Sequence, residues 1–134
     1  QFVKTVDNVR IYNDNNATTP QATIAALHAL DLGNKNIVLI AGGADKGIDT
    51  AELVASIGVH CKKVVLTPGS GTDALLEKGV EAVVVENLQQ AFEEARLAAE
   101  NADIILFSPA FASFAQYKNE YERNDEFMSL VNAI

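Results

Sequence analysis

The sequence predicts an α/β three-layer sandwich in which a mostly parallel sheet carries helices on both faces. Three observations lead there. Short β-branched runs alternate with longer stretches of helical periodicity along the whole chain. Several of those runs are continuously apolar, as in NIVLIA at 36–41, which suits strands covered from both sides. Successive runs are separated by enough chain for a helical crossover, so right-handed connections and parallel pairing follow. The result is a Rossmann-like fold. With 134 residues and neither linker nor internal repeat, a single domain spanning 1–134 is expected.

The elements follow in order. Val9–Asn13 (VRIYN) reads as the first strand. Thr19-Pro20 then opens a helix: threonine caps well, and proline at the first helical position gives up only an amide without a partner. Ile24, Leu27, Leu30 and Leu32 form its apolar stripe, and Gly33 is placed to end it. Residues 36–41 are the second strand. A glycine-lysine loop at 42–47 leads to a helix begun by Asp49, with Glu52 completing a capping-box pattern. Residues 63–67 (KVVLT) form the third strand, and Pro68-Gly69-Ser70-Gly71 turns into a helix over 72–78. A fourth strand at 81–86, a long helix at 88–102, a fifth strand at 103–107 and a closing helix at 125–133 complete the pattern.

Composition excludes several function classes. Hydrophobic residues make up 49% and charged residues 21%, a globular balance. The net charge of -8 argues against a nucleic-acid partner and against docking to an anionic membrane surface. Cys61 has no second cysteine to pair with, which fits a reducing cytoplasm and a structural thiol. No apolar run approaches the roughly 18 residues of a membrane span. The first residue is Gln1, not methionine, which suggests a piece of something longer.

In such a sheet, ligands bind beyond the carboxyl ends of the strands. Three polar or glycine-rich loops occupy that edge: residues 13–18 (NDNNAT), 42–47 (GGADKG) and 108–113 (SPAFAS). Adjacent glycines let backbone amides approach a ligand, and Lys46 adds a compact positive charge beside a helix N-terminus. The loop reads either as an anion site or as a plain turn whose lysine pairs with Asp45 or Asp49. It is not a GxxxxGK[ST] loop. Asp14 and Thr18 flank the start of the first helix and could cap it. Asp45 and Asp49 lack a third ligand, so no protein-built metal site is expected. His28 and His60 have no serine or cysteine arranged for nucleophilic catalysis. Glu93, Glu94 and Glu100 read as a solvated helix face. Spacing alone therefore reaches an anion-binding α/β domain without a complete catalytic apparatus. A signalling receiver domain shares the strand-helix alternation but needs an aspartate where the third strand ends, and Thr67-Pro68 stands there.

Three segments carry a resemblance. Asn13-Asp14-Asn15-Asn16-Ala17-Thr18-Thr19-Pro20, with Ala22-Thr23-Ile24-Ala25-Ala26-Leu27, is similar to an NDSKATNxxATxxAL signature. Leu39 through Gly47 is similar to LxxGGxDKG. Leu106-Phe107-Ser108-Pro109-Ala110-Phe111-Ala112-Ser113-Phe114, with Gln116-Tyr117-Lys118-Asn119, Arg123 and Glu126-Phe127, is similar to LSPAxASFDxFKNFxxRGxxF. Together, in order and across essentially the whole chain, they resemble the C-terminal domain of the Mur ligases. The opening motif favours the D-glutamate branch over sister ligases with DYAH-like or DGAHN-like openings.

The resemblance implies a three-domain enzyme of peptidoglycan-precursor synthesis. There ATP, with Mg2+, phosphorylates the carboxylate of UDP-N-acetylmuramoyl-L-alanine, and the amine of D-glutamate attacks the acyl phosphate. The phosphate-gripping GKT loop, the carbamylated lysine and the magnesium ligands belong to a central domain, and the UDP moiety to an N-terminal one. The third domain brings the amino acid and closes over ATP. By resemblance, Thr18, Lys46 and Ser113 hold the D-glutamate side-chain carboxylate, Phe114 contributes backbone, and Asp14 lies on the ATP side. Asn16 stands where the family has a lysine on that side, and Ala115 where it has an aspartate. Glu120 takes the place of an aromatic flanking the substrate, with Tyr121 next along. The 134 residues alone are expected to bind no ATP or metal and to have no ligase turnover. Alternatives are a Mur-type domain for another amino acid, or a non-catalytic anion-binding module.

Overall fold

The computed structural model describes residues 1–113 and 117–134. Its sheet has six strands: β1 (Phe2–Val6), β2 (Val9–Asn13), β3 (Ile37–Ala41), β4 (Cys61–Leu66), β5 (Val83–Val84) and β6 (Ile104–Phe107). Their spatial order is β1-β2-β6-β3-β4-β5. Pairing is parallel throughout except for the antiparallel β1–β2 hairpin. The helices are α1 (Pro20–Leu30), α2 (Ala51–His60), α3 (Ser70–Glu77), α4 (Leu88–Ala98) and α5 (Glu120–Asn132). The expected mostly parallel α/β sandwich is the observed architecture.

Alternation along each strand explains the two helix layers. Ile37, Leu39 and Ala41 face one side, with Ile104, Leu106, Val64 and Leu66, and there they meet Leu27 of α1, Leu53 and Ile57 of α2 and Leu75 of α3. Val38, Ile40, Val65, Ile105 and Phe107 face the other side and meet Leu88, Phe92 and Ala95 of α4 and Phe127 and Val131 of α5. The chain steps outward from β3 through β5 with α2 and α3 on the first face. It then returns across the second face by α4 to insert β6 between β2 and β3. This reversal brings the loops after β2, β6 and β3 side by side.

Several element boundaries differ from expectation. β1 is an added edge strand, folded back on β2 through Asp7 (φ 51) and Asn8 (φ 60). Its alternation is weak, with Phe2 half-exposed, so the sequence pattern conceals it. Helix α1 ends at Leu30. Asp31, not Gly33, is its C-cap, and Gly33 donates to the Asp31 carboxylate. At α2 the Ala51 amide donates to Asp49 Oδ1 at 3.0 Å, and Thr50 occupies the cap position without a side-chain bond. Helix α3 begins at Ser70 instead of 72, and the strand expected over 81–86 narrows to Val83–Val84, both partly solvent-exposed. Helix α4 stops at Ala98, four residues early, and α5 begins at Glu120, five residues early, capped by Asn119 accepting from the Glu122 amide.

The C-terminal ends of α1 and α2 are tied together by ionisable groups. His60 Nδ1 lies 2.5 Å from Asp31 Oδ2, and the His28 ring packs 4.8 Å from that of His60. The His60 contact, followed by the Gly33 amide, holds the Asp31 carboxyl below its ordinary value. A depressed folded-state pKa contributes stability that is present above the unfolded value and is lost as pH falls through the folded one. Urea melts of the protein and its Asp31→Asn variant should therefore differ at pH 6–7. The gap should close from about pH 4 downward. A gap that widens with acidification contradicts the assignment. Next to this pair the Cys61 thiol is buried and pushed up to about 12 by burial and by the Asp31 charge, so it is a packing residue and not a nucleophile.

Candidate functional site

The carboxyl ends of β2, β6, β3 and β4 release four loops that are stitched together through their backbones. The Asp14 amide donates to the Phe107 carbonyl at 2.7 Å, and the Ala110 amide to the Ala17 carbonyl at 2.9 Å. The Gly42 amide reaches Pro109 O at 3.0 Å. Ala44 and Ala112 exchange both bonds, at 2.8 and 3.2 Å, as an isolated antiparallel bridge. Finally the Gly71 amide donates to Gly43 O at 2.9 Å, and the Asp45 amide to Ser70 Oγ at 2.9 Å. The loops 13–18, 108–113, 42–47 and 67–71 thus form one continuous rim. Ala110 adopts a left-handed conformation (φ 68) while fully buried. Such backbone strain persists only where the surroundings over-determine it.

Two side-chain networks brace this rim. Ser108 Oγ donates to Asp14 Oδ2 at 2.8 Å, and Thr23 Oγ1 stands 2.8 Å behind Ser108 Oγ. Asp14 is therefore oriented by the third loop and does not cap α1. Thr19 is the cap, its Oγ1 accepting from the Ala22 amide at 3.3 Å. Arg123 of α5 is 4% exposed. Its Nε donates to Asn15 Oδ1 at 2.8 Å, Nη2 to Asn15 O at 3.0 Å and Nη1 to Phe111 O at 3.1 Å. Burial pulls its pKa below the ordinary arginine value. The adjoining bonds run from Asn15 Nδ2 to Glu120 O at 2.8 Å and from Asn13 Nδ2 to Asn124 Oδ1 at 2.7 Å.

The residues singled out from sequence are placed as follows. Thr18, half-buried, follows Ala17. Lys46, exposed, lies two residues beyond the Ala44 bridge, and Ser113 follows its partner Ala112. The backbone segments that carry these three residues are therefore brought to one rim. Ser113 is 3% exposed, and its Oγ is buried without a hydrogen-bond partner among the described residues. Lys46 forms no ion pair among the described residues. Asp49 is engaged instead by Lys78 at 3.2 Å, and Asp45 Oδ1 by the Gly47 amide at 2.9 Å, so the pairing weighed for a plain turn is absent there. Asn16 is exposed and lines a cavity of about 150 Å³ together with Gln1, Asn13, Asp14, Asn15 and Asn124. Tyr121 projects from the first turn of α5 and is 80% exposed. Phe114 and Ala115 lie outside the described residues. The bracing roles of Ser108, Thr23 and Arg123 went unnoticed in the sequence. Arg123 sat in a matched motif, but only burial shows what it does.

Comparison with known proteins is decisive for the family. Residues 1–111 match the family model described as "Mur ligase, glutamate ligase domain". The chain belongs to this family. Among relatives of this Mur ligase domain, a UDP-N-acetylmuramoylalanine--D-glutamate ligase of Pseudomonas fluorescens is 38% identical, covering 100% of the chain and 31% of that protein. The Shouchella clausii protein of the same name is 41% identical, over 100% of the chain and 30% of its own length. The chain thus spans about a third of the length of these relatives. A solved domain from a putative UDP-N-acetylmuramate:L-alanyl-gamma-D-glutamyl-medo-diaminopimelate ligase of Haemophilus ducreyi superposes with a TM-score of 0.67 at 17% identity, over 99% of this chain and 97% of that one. At that identity the likeness establishes the fold of the Mur ligase domain, in agreement with the α/β sandwich read from the sequence.

Proposed function

We propose that this chain is the amino-acid-binding C-terminal domain of an ATP-dependent ligase that adds D-glutamate to UDP-N-acetylmuramoyl-L-alanine. One observation carries the reading: the buried hydroxyl of Ser113, without a partner among the described residues, set on the same rim as the exposed Lys46, which forms no ion pair among them. A buried hydroxyl without a partner costs free energy, and a carboxylate oxygen is the acceptor that removes the cost. Thr18 and Ser113 supply hydroxyl donors, Phe114 a backbone amide, and Lys46 the charge. Held by its side-chain carboxylate, the amino acid keeps its amine free to attack an activated carboxyl group. The names of the two bacterial relatives point to D-glutamate as that amino acid and to the UDP-linked muramoyl-alanine as its acceptor.

ATP activates the acceptor's carboxylate, and this chain fits only part of the nucleotide. The cavity beside Asp14 offers side-chain amides and one carboxylate, partners for hydroxyl and amino groups, but its lining includes no lysine or arginine for phosphates. With asparagine at 16, phosphate and Mg2+ binding fall to domains outside this chain. Among the described residues no group of three histidine, cysteine or acidic side chains could hold a metal ion. On this reading the 134 residues alone neither hydrolyse ATP nor form a peptide bond. Tyr121 waits on the outer wall of the pocket.

Titration by two-dimensional NMR tests the proposal. D-Glutamate should shift the amides around Thr18, Lys46 and Ser113, with L-glutamate and meso-diaminopimelate weaker. Equal responses to all three, or shifts confined to another face, would overturn it.

A further inference from the structure

We propose that the first turn of α5 is a latch that sets the spacing of the binding rim, with Arg123 as its positioning residue. The substrate side of this inference rests on the amino-acid site proposed above. Glu120, Arg123 and Asn124 lie at spacings of three and four on α5, hence on one face. All three engage the first loop, through Glu120 O, the guanidinium and Asn124 Oδ1. Arg123 alone adds the third loop, through Phe111 O. Phe111 is two residues from Ser113, and Asn15 is three from Thr18. A single planar group therefore spans the segments that bear two of the proposed ligand donors.

The chemistry explains the choice of arginine. Its donors diverge from one rigid plane, so bonds to Asn15 and to Phe111 fix both loops in one geometry. Lysine keeps the charge but cannot reproduce that fork. All three acceptors are uncharged, and no carboxylate lies within ion-pair distance among the described residues; Glu120 supports the charge from further away. Burying a cation on neutral partners is costly, and geometry is what such a cation can supply here. The loop it holds also contains the strained Ala110.

The test uses the 134-residue protein with Arg123→Lys, Arg123→Gln and Asn15→Ala, the last approaching the same bonds from the other side. In the ligand-free state, hydrogen exchange at the Ala110 and Ala112 amides should rise about tenfold or more relative to Leu39 and Val65 in the sheet. D-Glutamate affinity should fall about tenfold, with lysine failing to rescue it. Exchange at the rim that stays at the level of the core overturns the latch, as does rescue of affinity by lysine, which would make charge the operative property. If the unaltered protein binds no D-glutamate, the amino-acid reading falls, and the exchange measurement still decides the role of Arg123. Should Arg123→Gln fail to fold, Arg123→Lys and Asn15→Ala provide the same reading.

Discussion

Gly43→Ala should destabilise the protein by about 3 kcal/mol or more and dismantle the rim. Gly43 has φ 142, and a Cβ placed there would stand 2.3 Å from the Ala112 carbonyl oxygen. That oxygen accepts the Ala44 amide, so the new methyl group would wedge apart the bridge between the second and third loops. Relief is limited from the other direction, because Gly43 O accepts the Gly71 amide at 2.9 Å. Backbone meets backbone on both sides, and no side chain can swing away. Gly47 provides the contrast. Its φ of 79 also disfavours alanine, but none of the described residues has an atom within 4 Å of the added carbon, so Gly47→Ala should cost about 1–2 kcal/mol from conformation alone. Urea melts of the two variants measure the difference, and equal losses would contradict the steric argument. Against a total stability of about 5–15 kcal/mol, the Gly43 variant should be visibly less folded at 37 °C.

Lys46→Met should weaken D-glutamate binding about 10- to 100-fold while leaving the melting curve nearly unchanged. The lysine is exposed and pairs with no carboxylate among the described residues, so folding loses little with its charge. A charge-assisted bond to a bound carboxylate contributes about 1.5–3 kcal/mol, which sets the expected range. The effect should shrink as salt rises, because an exposed cation is screened over about 10 Å at 0.1 M. Lys46→Arg should recover only part of the affinity, since a planar fork replaces a compact point charge. Unaltered affinity in the methionine variant would remove Lys46 from the site. An exposed lysine that matters for binding and not for stability separates ligand recognition from fold maintenance.

Continuous apolar runs such as IVLI at 37–40 could be read directly as strands, because both of their faces are buried and every residue reports the same environment. The short edge strands were harder. Val83 and Val84 face solvent in part, and β1 has one covered flank, so neither leaves a clean pattern. Helix ends missed by up to five residues for a related reason: the early start of α5 is set by Asn119, a cap inside a stretch that otherwise reads as loop. The candidate site was legible only as three loops on a predicted edge, together with the motifs they contain.

Alternation of strands and helices, the capping Thr19-Pro20 and the glycine pair at 42–43 are local properties, so the chain's own order of residues determined the sandwich and the edge proposed for the ligand. Insertion of β6 between β2 and β3, the exchange of bonds between Ala44 and Ala112, the burial of Arg123 and the burial of the Ser113 hydroxyl were decided by tertiary structure alone. The reason is distance along the chain. Asn15 and Arg123 stand 108 positions apart, and only the reversal of strand order brings them within a hydrogen bond.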